Sequence, residues 1–269
     1  MRLGYINYLN CYPFYYHTLE KEPLPDAEIV PGYPSELNKM MVQGELDLSP
    51  ISAAAYADIQ KKVVLLPDFC LSSVGYVRSV ILNSKSPIEY LHNKRVGLSS
   101  ASETSVVLLK ILLQNYYKVE PVYVPTQPKP SLKDENLDAT LIIGNEAITR
   151  TEPVAYTYDL GDLWMRKTGF PVVFAVFAVQ ESAINKYPSQ IHAIVNSYHK
   201  SLGCLECERE LLIQKAAEKY PDIQYDIHAY YQLLQYKFTE EMKDALRFYF
   251  SLAGELGLLS QVGTLKFLT

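Results

Sequence analysis

A chain of 269 residues, 48% hydrophobic and 20% charged, has enough apolar material for a full core and room for two lobes. Its net charge of -5 comes without any basic stripe, which excludes nucleic acid as the expected partner, because phosphate binding needs clustered Lys and Arg. No run reaches the roughly 18 apolar residues that a bilayer span needs, so no membrane partner is expected. Residues 2–9 alternate toward a strand that ends in Asn10-Cys11-Tyr12-Pro13. Proline suits the first turn of a helix, which puts Asn10 at the carboxyl end of a strand, where open α/β sheets hold ligands. Asn supplies both a donor and an acceptor there, although a turn-forming Asn bonded to its own backbone accounts for the residue equally well.

Residues 27–30 read as a strand, 34–42 as a helix stopped by Gly44, and 47–51 as a strand running into Ser52. A helix over 53–59 and a strand over 63–66 continue a strand–turn–helix rhythm that predicts a mainly parallel sheet. Residues 71–83 mix serines with apolar residues and read as one long strand able to carry the chain between lobes. A new unit then begins with a short helix at 88–91 and a strand at 95–98. Ser100 followed by Glu103 is a capping-box pattern, so a helix is expected to start near Ser100 and run through the apolar residues 106–113. A helix start rich in Ser and Thr hydroxyls suits a small anion such as a carboxylate. A well-capped core helix is the plainer reading, and the Glu103 carboxylate would compete for the same donors.

Further on, 122–124 reads as a strand and 125–133, with three prolines, as an exposed loop. Residues 139–143 form a buried strand reaching Gly144, where the lack of a Cβ lets backbone approach a ligand. The apolar run 171–179 carries the chain back to the first lobe. From 189 the pattern is helical, over 190–202, 206–220, 227–236 and 239–256, the last opened by Thr239 before two glutamates. The expected organisation is an α/β first lobe of residues 1–84 plus 180–269 around a second lobe of 85–179, with a ligand cleft between them.

The opening MRLGYI has no leader pattern, so a cytoplasmic location is expected. Cys11, Cys70, Cys204 and Cys207 are expected to stay reduced. The last two form a CxxC without a second pair at zinc spacing, and no metal is expected. His17, His92, His192, His199 and His228 all fall outside the expected cleft stretches. Most of the 22 tyrosines are expected to pack in half-buried positions, with Tyr76 a candidate for the cleft wall.

Several stretches then point in one direction together. They are GYINYLNCYP at 4–13, SPIS at 49–52, SVGYVRSVIL at 73–82, SETS at 102–105, IIGNEA at 142–147, YDLGDLW at 158–164 and GFP at 169–171. Their order and spacing resemble the chorismate dehydratases of the futalosine route to menaquinone. The resemblance implies a two-lobed type II periplasmic-binding-protein-like fold and a lyase that works without a cofactor. The implied reaction removes water from chorismate to give 3-[(1-carboxyvinyl)oxy]benzoate. Active-site roles are implied for Asn10 and Ser79, and Ser52, Ser102, Thr104, Ser105, Gly144 and Asn145 are the expected substrate-binding positions. Many relatives carry Asp where this chain has Asn145, so a charged role is not carried over.

The same residues admit two other readings, a non-catalytic small-carboxylate-binding protein of the same fold and the sister 1,4-dihydroxy-6-naphthoate synthase. The missing leader counts against the first, and the Asn10 and Ser79 stretches match the second less well. Since the cleft stretches supply Asn and Ser rather than His or carboxylate, the expected base is the substrate's own enolpyruvyl carboxylate, with Glu103 the rival. The sequence leaves the oligomeric state open.

Overall fold

The computed structural model describes the chain apart from residues 25, 129–131, 133–135 and 150–152. Its strands are β1 (Arg2–Ile6), β2 (Glu28–Gly32), β3 (Leu48–Ser52), β4 (Val63–Ser73), β5 (Val80–Ser84), β6 (Arg95–Ser99), β7 (Val122–Thr126), β8 (Ala139–Ile143), β9 (Tyr156–Asp159), β10 (Val172–Gln180) and β11 (Leu234–Lys237). They form two sheets, ordered β11-β4-β10-β3-β1-β2 and β7-β6-β8-β5-β9. The helices between them are α1 (Tyr12–Tyr16), α2 (Pro34–Gln43), α3 (Tyr56–Ile59), α4 (Glu103–Ile111), α5 (Gly144–Thr149) and α6 (Leu160–Thr168). The C-terminal helices are α7 (Glu181–Ile184), α8 (Pro188–Cys207), α9 (Arg209–Lys219), α10 (Ile227–Gln232) and α11 (Glu240–Glu255).

Each sheet is mixed rather than mainly parallel: β2-β1-β3 and β7-β6-β8 pair in parallel at one end, where crossovers connect successive strands, and β10, β4, β11, β5 and β9 pair antiparallel. Strands β3, β5, β8 and β10 are buried at every position, which fits sheets covered on both faces. Several core tyrosines give the hydroxyl a partner. Tyr198 donates to Tyr15, and Tyr15 to the Gly4 carbonyl at 2.7 Å. Phe14 of α1 packs between Phe177 of β10 and Tyr236 of β11, with ring centroids 4.5 and 5.2 Å away, so the C-terminal segment closes the first lobe's core.

Sheet membership moves the lobe boundaries from those expected at 84/85 and 179/180. Strand β5 pairs with β8 and β9, so it belongs to the second lobe. Strand β10 pairs antiparallel with β3 and β4, so it belongs to the first. The chain therefore crosses within residues 74–79 and 169–171. The long strand expected over 71–83 is two strands in different sheets. It breaks where Gly75 and Arg78 take φ of +79° and +68°, a region in which no ladder continues.

Residues 234–236, expected at the end of a helix, pair instead with β4 as an edge strand. Their alternating burial has a period of two, but it lasts only four residues, too few to stand out beside the preceding helix. The expected helix at 88–91 is a 3-10 turn, Ile88–Tyr90. The expected loop at 125–133 begins inside β7, and most of its remainder lies outside the described residues. No helix among the described residues is long and apolar enough to cross a membrane.

Candidate active site

The carboxyl ends of β1, β3, β6 and β8 face one another between the lobes and frame a cleft. From the first lobe come Tyr8, Asn10, Cys11, Ser52 and Phe174, and from the second Val77, Ser79, Ser102, Ser105 and Gly144. No Asp, Glu, Lys, Arg or His lines it among the described residues. Its polar surface is made of one amide, four serine hydroxyls and a phenol.

Asn10 sits on the 3-10 turn Leu9–Cys11 that follows β1. Two bonds hold this turn. Leu9 N–H donates to Asn145 Oδ1 across the lobes at 2.8 Å, and the Leu9 carbonyl accepts from the Tyr231 hydroxyl at 3.1 Å. Asn10 Oδ1 and Ser52 Oγ are buried and have no partner, whereas the Tyr8 hydroxyl is turned toward Glu146. Buried polar atoms without partners are costly, so two together in one cleft mark a place shaped for another molecule. Tyr230 of α10 stands behind them with its hydroxyl beside Ser79 and Asn10, and burial pushes its ionisation above the usual phenol range.

The helix expected to start near Ser100 starts two residues later. Strand β6 runs to Ser99, Ser100 N–H is taken by the Thr126 carbonyl, and Ser102 caps α4 by accepting from Ser105 N–H at 3.4 Å. Ser102 and Ser105 are three residues apart and share the helix face that lines the cleft. Thr104 is about 100° round the helix from Ser105 and does not reach the cleft. Its hydroxyl donates to the Phe174 carbonyl at 2.9 Å and accepts from Ala54 N–H at 3.1 Å, tying the second lobe's helix to the first lobe. Thr104→Val is therefore expected to destabilise the protein by about 1–3 kcal/mol in urea titration, since two buried groups lose a partner. Ligand affinity should change little. A loss of affinity without loss of stability would return Thr104 to the cleft wall.

Gly144 starts α5 with φ of +62°, and its N–H donates to the Ser79 carbonyl at 2.8 Å. A Cβ there would lie 2.5 Å from Tyr8 Cζ, so only glycine lets the Tyr8 ring close on this backbone. Asn145 is turned away from the cleft toward Leu9, and Glu146 faces Tyr8 and Tyr33 on the outer side of the lobe contact. Ser52 is held by its own N–H, which donates to Asn38 Oδ1 at 2.9 Å. Thus Asn10, Ser52, Ser79, Ser102, Ser105 and Gly144 come together, whereas Thr104 and Asn145 hold the walls in place from outside.

Tyr76 is 46% exposed and is not on the cleft wall. Glu103 is not there either. Its carboxylate lies beside Asn38 without making a well-formed hydrogen bond, and burial raises its pKa. Of the titratable cleft residues, burial drives both the Cys11 thiol and the Tyr8 phenol far above their ordinary values, so neither ionises near neutral pH. No group of three or more His, Cys, Asp or Glu among the described residues is placed to hold a metal ion. Cys204 and Cys207 lie at the end of α8, outside the cleft. Tyr8 and Tyr230 were hidden among the 22 tyrosines, with no local pattern to separate them from packing residues.

Residues 1–255 match a family model described as menaquinone biosynthesis. The chain is 34% identical over 222 residues to a chorismate dehydratase of Thermus thermophilus, covering 76% of this chain and 78% of that protein. A 1,4-dihydroxy-6-naphtoate synthase of the same organism is 26% identical over 176 residues, covering 64% and 63%. Among solved structures, protein AF1704 from Archaeoglobus fulgidus superposes with a TM-score of 0.76 at 22% identity, over 96% of this chain and 98% of that one. The periplasmic aliphatic sulphonate binding protein SsuA of Escherichia coli superposes with a TM-score of 0.66 at 14% identity, over 100% and 93%. At such identities the structures establish the fold, which is periplasmic-binding-protein-like.

Proposed function

The chain belongs to the menaquinone-biosynthesis family, and from that membership we propose that it is a cofactor-independent lyase that dehydrates chorismate to 3-[(1-carboxyvinyl)oxy]benzoate. The observation that carries this reading is the cleft's neutral lining. Chorismate with both carboxylates ionised has many acceptors and one O–H donor, the ring hydroxyl. The serine hydroxyls of 52, 102 and 105 suit the carboxylates, and the unpaired Oδ1 of Asn10 suits the single donor.

The absence of charged residues from the lining also bears on mechanism. Elimination breaks the C–H bond at the carbon bearing the enolpyruvyl ether. That electron pair becomes a ring double bond, and the neighbouring C–O bond breaks to release hydroxide. The proton and the hydroxide leave together as water, and aromatisation drives the step. A side-chain base would have to reach the proton within about 3 Å, and the described lining offers none that ionises near neutral pH. The enolpyruvyl carboxylate lies close to that proton. With no Lys or Arg on the lining among the described residues to lower its pKa, it keeps its basicity. Asn10 orients the ring hydroxyl, and Ser79 donates to its oxygen as negative charge develops there.

Incubation of the purified protein with chorismate, with product identification by mass and ultraviolet spectrum, tests the reaction. Failure to form the benzoate product would sink the proposal. The base is tested by Glu103→Gln, which should lower turnover by less than about tenfold, whereas removal of a true general base costs about 10²–10⁴-fold.

A further inference from the structure

The stretch YDLGDLW lies off the cleft, yet its carboxylate reaches the segment that carries Ser79. Asp159 is 8% exposed, and its hydrogen-bond partners are backbone N–H groups. Oδ2 accepts from Arg78 N–H at 2.6 Å, and both oxygens accept from Val77 N–H at 3.2 Å. Oδ1 also accepts from Asp162 N–H at 3.0 Å, capping α6.

The clamped peptide is the strained one. Arg78 has φ of +68°, a region disfavoured for a residue with a Cβ, so something outside the turn must hold it. Its guanidinium lies over the Tyr225 ring at 5.3 Å and is not on the cleft wall, so the turn does not serve to present a cation. Two residues beyond Asp159, a Cβ on Gly161 would collide with the Gly75 carbonyl and lie 3.1 Å from Ser73 Oγ. Glycine at this position therefore lets the crossing segment 74–79 seat directly on the start of α6. At its far end the segment is tied once more, by Gly144 N–H to the Ser79 carbonyl.

We propose that Asp159 is a positioning residue for the reaction: it holds the Val77–Arg78 amides in the left-handed turn and so directs the Ser79 hydroxyl into the cleft. The inference rests on the reading that Ser79 acts on the substrate. A carboxylate is suited to this task, because one group meets three amides and such charge-assisted bonds are about twice as strong as neutral ones. A helix cap alone would need only one of those bonds.

Asp159→Ser separates the two roles. Serine still caps α6, but its single short hydroxyl does not span to the amides of 77 and 78. Turnover of chorismate is measured for wild type, Asp159→Ser, Ser79→Ala and the double variant, with long incubations for the slow ones. Asp159→Ser is expected to lower kcat by about 10–100-fold with KM nearly unchanged, and to cost less than about threefold in the Ser79→Ala background. An equal loss in both backgrounds, or an unchanged kcat, overturns the proposal. If Asp159→Ser does not fold, Asp159→Asn keeps the cap and the size, and the same comparison applies. Amide exchange at Val77 and Arg78 gives a readout independent of activity. Slow exchange that becomes fast in the variant supports the clamp, and exchange that does not change overturns it. Wild type inactive on chorismate would instead count against the proposed reaction, with the clamp still decided by exchange.

Discussion

Asn10→Ala is expected to lower kcat for chorismate dehydration by roughly 10²–10³-fold, the range seen when a positioned polar group at a reacting centre is removed, with the unfolding midpoint near wild type. The two halves of this expectation have different origins. Stability holds because Oδ1 is already buried without a partner, so truncation removes a desolvated acceptor rather than a formed bond. The turn itself is carried by the Leu9 amide and carbonyl, bonded to Asn145 and Tyr231, and neither bond involves the Asn10 side chain. Activity falls because Oδ1 is the acceptor that fits the substrate's only O–H donor, and geometry at the departing oxygen decides how well the proton and hydroxide leave together. Steady-state kinetics beside urea denaturation reads both halves. A loss smaller than that of Glu103→Gln would place the base on the protein and reverse the mechanism.

Gly144→Ala is expected to destabilise the protein by about 2–4 kcal/mol, a strained φ added to overpacking. For a chain of this size that is a fall in Tm of roughly 4–16 °C. The new methyl would stand 2.5 Å from Tyr8 Cζ, and the Tyr8 ring is 5% exposed, with its edge against Tyr33 at 5.9 Å. The ring has little room to retreat except into the cleft, so KM for chorismate should rise as well. In a Tyr8→Ala background the same substitution should cost only the backbone strain, about 1–2 kcal/mol. Calorimetry of the four proteins checks this. Equal losses in both backgrounds would mean that the close approach of Tyr8 is not what requires glycine here.

Much of this was legible from residue patterns, because local rules govern it. Pro34 and Gly44 bracket α2 as a helix-opening proline and a left-handed cap should, with φ of +73° at the glycine. Thr239 opens α11 by accepting from Met242 N–H at 3.4 Å. The apolar run 139–143 is a fully buried strand with those bounds. The stretches that carried the family resemblance also contained the cleft, since Asn10, Ser52, Ser79, Ser102, Ser105 and Gly144 converge there.

What residue patterns settled alone, then, was which short segments line the cleft and which fold they belong to. Period, caps and turn residues act over a few positions, and family stretches keep their order along the chain. The tertiary structure decided which side chain within each segment faces the cleft. Ser102 and Ser105 point inward while Thr104, between them, bonds to Ala54 and Phe174, and Gly144 touches Tyr8 while Asn145 reaches Leu9. Successive residues on a helix differ by about 100°, so a motif names its neighbours without saying which of them faces the partner. The structure alone also placed β5 and β10 in opposite lobes and brought Tyr230 to Ser79 and Asp159 to the neighbouring Arg78 amide. These contacts join residues some 80 to 220 positions apart, and at that separation packing between sheets, rather than any local preference, sets who meets whom.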